Sequence, residues 1–585
     1  MNEKQSWWIV AAVALLVQAA FIGESHRHLA FQIPIVDAAT YHNTAVSLAR
    51  GEAPPREAFW QPPLYPILLG VLYRISGENV LFARAVQGVS GVLSALLVFA
   101  IASRMTSRSM ALVAALLTSI YGPLLFYHTQ LLPTGLAVTL NLLAILLTLR
   151  LLEKPGIRRA LCCGLAFGSA ALAVPNALVG AVIPVACIFL MPGRSPTPRE
   201  RLRLTGAMVL AIVLCILPVS IRNRSVSGAW VPISTNGGIN LFIGNNPEID
   251  RTMTIRPGLD WDRLTASPFR EGASSAAEAQ EFFFREVRSH IREAPGTYLK
   301  HLMLKALYLV QAREIPRNTS IYAFREHTSV LGALVWKCGS FAFPFGIVGA
   351  LGIAGLIIAS RTHRERRVLA AFMLVYAASV VFFFPAARYR APMIPGLLIF
   401  AVLAACTIIQ QIRTHAPGRW RNLAILLVAT TLVNLPIRLP ANESRFESEL
   451  QLYLGVGLQV RGRSDEALEA YDSLIEQDPS LADAFYYRGS LHRDLGRNTE
   501  AIADFDRAIQ LRPDHEIAIH DLAVLLFEEG HVDVSVELLQ RALRINDRYT
   551  RAMKNLGIGL VKQGKYEEGA RWILEAQSQG RSTRD

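Results

Sequence analysis

The chain reads as all-α: a polytopic transmembrane helical bundle of about eleven spans with large outer loops, followed by an α-solenoid. Three observations carry that expectation. Of 585 residues, 52% are hydrophobic and only 18% charged, too apolar a balance for an ordinary soluble domain. Apolar runs recur at about the 20-residue length that a bilayer core demands. The last third abandons this texture for charged residues arranged with a fixed period.

At the N-terminus, Lys4 precedes an apolar core, as in a signal peptide. "FIGESH" offers no small-x-small cleavage site, however, and Trp7 and Trp8 suit a membrane interface, so a retained first helix is expected. Apolar runs follow near 6–22, 79–103, 109–127, 133–150, 160–174, 176–191, 204–221, 331–359, 368–385, 391–411 and 422–436. The runs at 160–174, 176–191 and 422–436 are short. The first two form a pair whose miscount leaves orientation unchanged; the last decides which side the C-terminal third occupies.

Alternate connectors are basic, and those residues fix orientation. They are Arg104 and Arg108; Arg150, Lys154, Arg158 and Arg159; Arg194, Arg199, Arg201 and Arg203; Arg361, Arg364, Arg366 and Arg367; Arg413, Arg419 and Arg421. The connectors near 128–132 and 174–176 carry none, and that near 386–390 only Arg388 and Arg390. The positive-inside rule puts the basic set and Met1 in the cytoplasm and the long segments 24–78 and 223–330 outside. The net charge of +13 is thus a topology signal, and nucleic acid is not an expected partner. All six cysteines, Cys162, Cys163, Cys187, Cys215, Cys338 and Cys406, fall in apolar stretches without zinc-type spacing and read as small hydrophobes.

The first outer loop carries Asp37 and Tyr41 at helical spacing, then "QPPLYP" at Gln61 to Pro66. The stretch 62–77 is apolar but too short to span, which suggests an interfacial or re-entrant helix. In the second loop, turn-rich Ser234 to Gly238, with Asn236, and Asn245 to Pro247 offer amide donors suited to a hydroxyl-rich ligand. Ala276 to Arg292 is an amphipathic helix with Phe283, Val287 and Ile291 on one face beside a charged face, as in a helix that lies on the lipid surface.

Near Ala441 a repeat begins. Gly455, Gly489, Ala523 and Gly557 stand 34 residues apart, as do Ala467, Ala501, Ser535 and Gly569. Small residues at these points, with Pro479 and Pro513 after the second helices, resemble the tetratricopeptide pattern of about four helix pairs. Such a solenoid usually binds a protein or peptide on its concave face. The expected division is a membrane part at 1–436, a linker at 437–447 and repeats at 448–585.

Several polar residues could carry chemistry. Asp37 admits two readings, a cap for the helix beginning near Ala38 or a base near the membrane surface. Arg388 and Arg390 are either phosphate-gripping guanidinium groups or snorkelling anchors. Arg84 is either half-buried and functional or interfacial. Arg222, with Asn223, ends a span where anchoring is the commoner role, and Glu314 is a second outer carboxylate with a structural reading. His42 and His128 suggest no metal set, and no Walker, dinucleotide or hydrolase motif appears.

The ordered series "DAATY", "QPPLYPILLGVLYR", Arg84, "IRNRSVSGAW", "STNGGINLFIGNNP", "EIPRN" and "RYRAPMIP" resembles the C-superfamily of integral membrane glycosyltransferases. The bacterial members related to protein O-mannosyltransferases and aminoarabinose transferases are most similar. The resemblance covers roughly residues 1–436 and implies inverting transfer from a polyprenyl-phosphate sugar in a bacterial inner membrane. It implies Asp37 as the acid/base residue and Arg388 and Arg390 near the lipid phosphate. Tyr41, Arg84, Arg222, Asn236, Asn245 and Glu314 are the further candidates for binding substrate. The family often has adjacent Asp and Glu in this loop; here Ala38 follows Asp37, which leaves divalent-metal use open and no cofactor certain. The repeats would recruit an acceptor or partner outside the membrane. An O-antigen ligase or polymerase, a transporter and a non-enzymatic scaffold displaying the repeats remain as alternatives.

Overall fold

The structure, a computed structural model, describes residues 2–52, 57–190, 196–317, 319–360, 362–437 and 444–582. Arg194, Arg361 and the central part of the expected linker, 438–443, lie outside them. The chain forms two compact units, one of residues 1–255 with 280–442 and the other of residues 256–279 with 443–585. Both are built from helices.

Among the described residues of the first unit, five helices are long and apolar enough to cross a membrane: Glu3–Ser25, Val80–Ala102, Thr134–Glu153, Pro198–Ser227 and Ala387–Arg413. Other apolar runs form shorter helices or break. The run at 109–127 divides into Arg108–Ser119 and Gly122–Tyr127, because Tyr121 is extended (φ −72°, ψ 103°) ahead of Pro123. The run at 331–359 is not one span. It comprises a short helix, Ser329–Leu334, then an antiparallel hairpin pairing Trp336–Cys338 with Phe341–Phe343, and then the helix Phe345–Ala359. Gly339, at φ 58°, permits the hairpin turn.

Small residues set the closest helix contacts, as expected where lipid offers no hydrophobic drive between helices. On Ile157–Ala173, a Cβ at Gly164 would stand 2.2 Å from the Met208 carbonyl oxygen, and one at Gly168 2.6 Å from Cys215 Cβ. A Cβ at Gly355 would likewise lie 2.0 Å from the Phe400 carbonyl oxygen.

The first loop folds into helices Leu29–Gln32, Asp37–Ala49 and Leu64–Ser76. The last of these covers the stretch expected to be interfacial. It buries Tyr65, Leu69 and Tyr73 against Tyr41 and Ala45 and exposes Ile67, Leu68, Val71 and Ile75 on its other side. One face on protein and one apolar face outward suit a helix lying at a membrane surface. The second loop's amphipathic helix, Ala276–Glu293, packs on protein instead: Phe283 and Val287 are buried, and Phe283 meets Phe242 at 5.3 Å.

The second unit contains four helix pairs: Ser444–Val460 with Ser464–Gln477, Ala482–Asp494 with Asn498–Leu511, Glu516–Glu528 with Val532–Ile545, and Thr550–Lys562 with Tyr566–Ser582. The first helix opens at Ser444, before the 448 boundary read from the period. Gly462, Gly496, Gly530 and Gly564, at φ 72°, 73°, 89° and 83°, turn the chain within each pair. Gly455 and Gly489 let the paired helices touch, since a Cβ would stand 2.5 Å from the Tyr471 ring and 3.0 Å from that of Phe505. The unit also contains a helix from the 223–330 loop, Leu259–Arg270, which the repeat period does not foreshadow.

Gly164→Val should force the Ile157–Ala173 and Pro198–Ser227 helices apart. Overpacking of this kind costs about 1–3 kcal/mol, visible as a lower melting temperature of the detergent-solubilised protein.

Candidate active site

Asp37 is the first residue of its helix, and the residue before it, Val36, holds φ 53°. A β-branched residue at positive φ is costly and persists only where surrounding structure enforces it. The carboxylate does not cap the helix: the cap position is Val36, with no side-chain hydrogen bond. Asp37 Oδ2 instead accepts from Arg388 Nη1 at 2.5 Å, a contact across 351 residues of sequence. Arg388 Nη2 also donates to the Tyr389 hydroxyl at 2.8 Å. The Asp37 side chain keeps 27% of its surface exposed, so a further group can reach it.

The turn that presents Arg388 is fixed by the second loop. Lys305 Nζ, fully buried, donates to the carbonyls of Gly244 (2.9 Å) and Phe383 (3.1 Å) and to Asn245 Oδ1 (2.9 Å). Its partners are neutral oxygens, and burial pulls its pKa down to about 7. Asn245 Nδ2 donates to the Phe382 carbonyl at 2.9 Å, and the Ala387 N–H to the Ile315 carbonyl at 2.8 Å. Arg390 pairs with Glu314 at 2.8 Å, both side chains nearly inaccessible, and lies 3.6 Å from the Phe345 ring centroid. Arg390 also donates to the Gln311 carbonyl.

A narrow cleft, partly open to solvent, is lined by Asp37, Arg84, Gln130, Arg317 and Arg388 together with apolar Ile33, Ile35, Leu132 and Phe324. Arg84 is buried, donates to the Thr129 carbonyl at 3.3 Å and also lines a second cavity with Ile22, Phe31, Val80 and Leu81. The first cleft therefore holds one carboxylate and three guanidinium groups. Three buried donors on its lining residues, Arg84 Nε, Arg388 Nε and Gln130 Nε2, have no hydrogen-bond partner among the described residues. Buried polar groups are normally satisfied, so unpartnered donors on residues that line a cationic cleft suit an anionic or hydroxyl-rich ligand.

The residues singled out from the sequence thus separate. Asp37, Arg84 and Arg388 share the cleft. Tyr41 is buried, edge-on to Tyr65 at 5.2 Å, and burial together with nearby Asp37 raises its pKa, keeping the phenol neutral. Glu314, Arg390 and Asn245 brace the Arg388 turn from behind and do not line the cleft. Arg222 donates to the Glu57 carbonyl at 2.7 Å and lies 4.1 Å over the Phe59 ring, tying the two loops together, while its neighbour Asn223 accepts from the Phe59 N–H. Asn236 accepts from Ser234 Oγ at 3.0 Å, also away from the cleft. His42 bonds the Tyr73 hydroxyl and His128 bonds Ser90.

Arg317, Gln130 and Lys305 were not singled out. Arg317 falls within the "EIPRN" segment, but a loop arginine has the same appearance whether solvated or functional. Lys305 looks like one charge on an amphipathic helix, and Gln130 like an ordinary connector residue.

Comparison with known proteins adds a family for part of the chain. Residues 60–221 match the model described as dolichyl-phosphate-mannose-protein mannosyltransferase. Residues 454–516 and 492–556 match tetratricopeptide-repeat models. One part of the chain is thus similar to a mannosyltransferase family and another to tetratricopeptide repeats. Within the matched span lie Arg84 and Gln130, whereas Asp37 precedes it and Arg317 and Arg388 follow it. No curated protein matches. Similar solved structures include a crystal structure of MamA, 20% identical over 30% of this chain and 95% of that one, TM-score 0.23. The 41-end form of MamA from Desulfovibrio magneticus RS-1 is 15% identical over 31% and 96%, TM-score 0.22. A tetratricopeptide repeat protein from Parabacteroides merdae ATCC 43184 is 20% identical over 30% and 65%, TM-score 0.22.

The two ion pairs differ in burial, and mutation should separate them. Glu314→Ala strands Arg390 in a site that is 4% exposed and should destabilise the fold by about 3–5 kcal/mol. Arg388→Ala, at the more open pair, should lower the melting temperature far less.

Proposed function

We propose that the chain is a membrane glycosyltransferase that moves a sugar from a polyprenyl-phosphate carrier to an acceptor hydroxyl of a protein, lipid or glycan at the outer face of the membrane. The observation that carries this reading is the Asp37–Arg388 pair at 2.5 Å, set in a cleft with Arg84 and Arg317. In the reaction, the acceptor oxygen forms a bond to the anomeric carbon as the bond from that carbon to the phosphate oxygen breaks. The acceptor proton passes to the Asp37 carboxylate, and the electron pair leaves with the polyprenyl phosphate. Attack opposite the leaving group inverts the anomeric centre.

Each charge in the cleft then has work to do. Cations aimed at the departing phosphate stabilise charge that develops in the transition state. Arg388 holds Asp37 in place by its Nη1 and leaves its Nε–H for the ligand. Arg84 lines both cavities, the second of mixed polar and apolar lining, and stands where its charge can meet the phosphate of the donor. The donor set fits a divalent ion poorly: one carboxylate faces three guanidinium groups, and among the described residues no cluster of three His, Cys, Asp or Glu offers a cage.

We place the protein in a bacterial inner membrane, with its N-terminus cytoplasmic and both loops and the repeats on the periplasmic side. Supporting this is the composition of the repeat unit: residues 256–279, internal to the second loop, are built into it. In this reading the repeats share a side with residues 256–279, and the side of that segment follows from the basic connectors. In this reading the short helix Arg419–Val433 completes the parity.

Asp37→Asn should reduce sugar transfer from a radiolabelled polyprenyl-phosphate donor by at least about a hundredfold, the usual worth of a positioned base, while the protein stays folded and inserted. Arg84→Gln should raise the KM for the lipid-linked donor more than it lowers kcat. Full activity in Asp37→Asn would end this reading. A reporter fused after Asp585 should show periplasmic activity.

A further inference from the structure

Solenoids of helix pairs bind ligands along a face made of equivalent positions in successive repeats. In the second unit such a face is in use. Arg256 lies 3.5 Å over the Phe446 ring and pairs with Glu449 at 3.1 Å, and the Pro257 carbonyl accepts from the Tyr453 hydroxyl at 3.0 Å, all at the first repeat. The backbone at Gly258 then passes the second repeat, where a Cβ would lie 4.0 Å from Asp483 Oδ2. Asp260 pairs with Arg512 at 2.8 Å, and Arg263 with Asp514 and Glu516 at 2.6 Å each, at the junction of the second and third repeats. Finally, Arg548, just before the fourth repeat, donates to the Phe269 carbonyl.

The register is the telling feature. Phe446, Asp514 and Arg548 occupy one position of the 34-residue period, and Glu449 and Asp483 another. The contact residues fall on, or immediately before, the first helix of a pair, apart from Arg512 at the end of a second helix. As residue number rises from 256 to 269, repeat number rises from one to four, so the segment runs in a single direction along the unit. Part of the contact is withdrawn from water, Arg256, Glu449 and Glu516 keeping 17%, 16% and 3% of their side-chain surface, while Asp260 and Asp514 keep 44% and 55%. Mobile surface pairs contribute little, so the sheltered Arg256–Glu449 and Arg263–Glu516 pairs carry most of the contact.

We infer that residues 256–270 are the ligand of the repeat domain, supplied by the chain itself. The segment "RPGLDWDR" presents two arginines seven residues apart with acidic residues between them, complementary to the Glu449, Asp514 and Glu516 carboxylates and the Arg512 guanidinium. The repeats thus hold the loop that also contributes Lys305 and Arg317 to the cleft and its support. Any peptide partner that uses the same face must carry the same alternation of charge and must displace the segment. This inference is independent of the reaction proposed above.

A site-specific protease sequence placed within 438–443 allows the test in the solubilised full-length protein. After cleavage, the repeat fragment should stay with the membrane fragment on size exclusion. The double variant Arg256→Glu, Arg263→Glu should release it at least tenfold more, and adding Glu449→Arg, Asp514→Arg and Glu516→Arg should restore retention. An excess of a synthetic peptide spanning residues 256–271 should release the wild-type fragment. Retention of the double variant equal to wild type, or release of the wild-type fragment on cleavage alone, overturns the inference.

Discussion

Holding a carboxylate against a guanidinium beside apolar walls costs desolvation on both sides, and the contact survives only where the backbone positions both groups in advance. The pair between Asp37 and Arg388 is the constraint on which the first unit is arranged. One partner sits at the start of a helix entered through a strained Val36; the other sits in a four-residue helical turn between two longer helices. Neither position would hold alone. The cluster of Tyr41, Ala45, Tyr65 and Leu69 anchors the Asp37 helix, and Lys305, Asn245 and the buried Arg390–Glu314 pair anchor the turn.

This arrangement gives neighbouring arginines separate roles. Arg390 is surrounded by a carboxylate, backbone carbonyls and an aromatic face, so its hydrogen-bonding capacity is committed to the protein. Arg388, two residues away, keeps a buried Nε–H without a partner and faces the cleft. The difference follows from helical geometry, since residues two apart on a tight turn point to opposite sides. A motif of two arginines therefore divides into a buried, fully paired member and one that lines the cleft.

The repeat unit obeys a different economy. Its stability is a sum of neighbouring helix pairs packed through small residues at fixed points of the period, and the loop segment 256–270 adds contacts at several successive repeats.

By itself, the sequence determined the helical class, the four repeat pairs and a helix over the apolar first-loop stretch, and it pointed to Asp37, Arg84 and Arg388, which the fold brings to one cleft. These are legible because period, composition and local spacing are one-dimensional quantities. Tertiary structure decided the rest. It broke the runs at 109–127 and 331–359, where a local turn outweighs apolar composition. It sent Arg222, Asn236 and Asn245 to structural partners, brought Arg317 and Gln130 into the cleft, and placed a loop helix on the repeats. Each of these depends on contacts between residues far apart in the chain, whose side chains look the same in sequence whether they meet solvent, a carbonyl or a ligand.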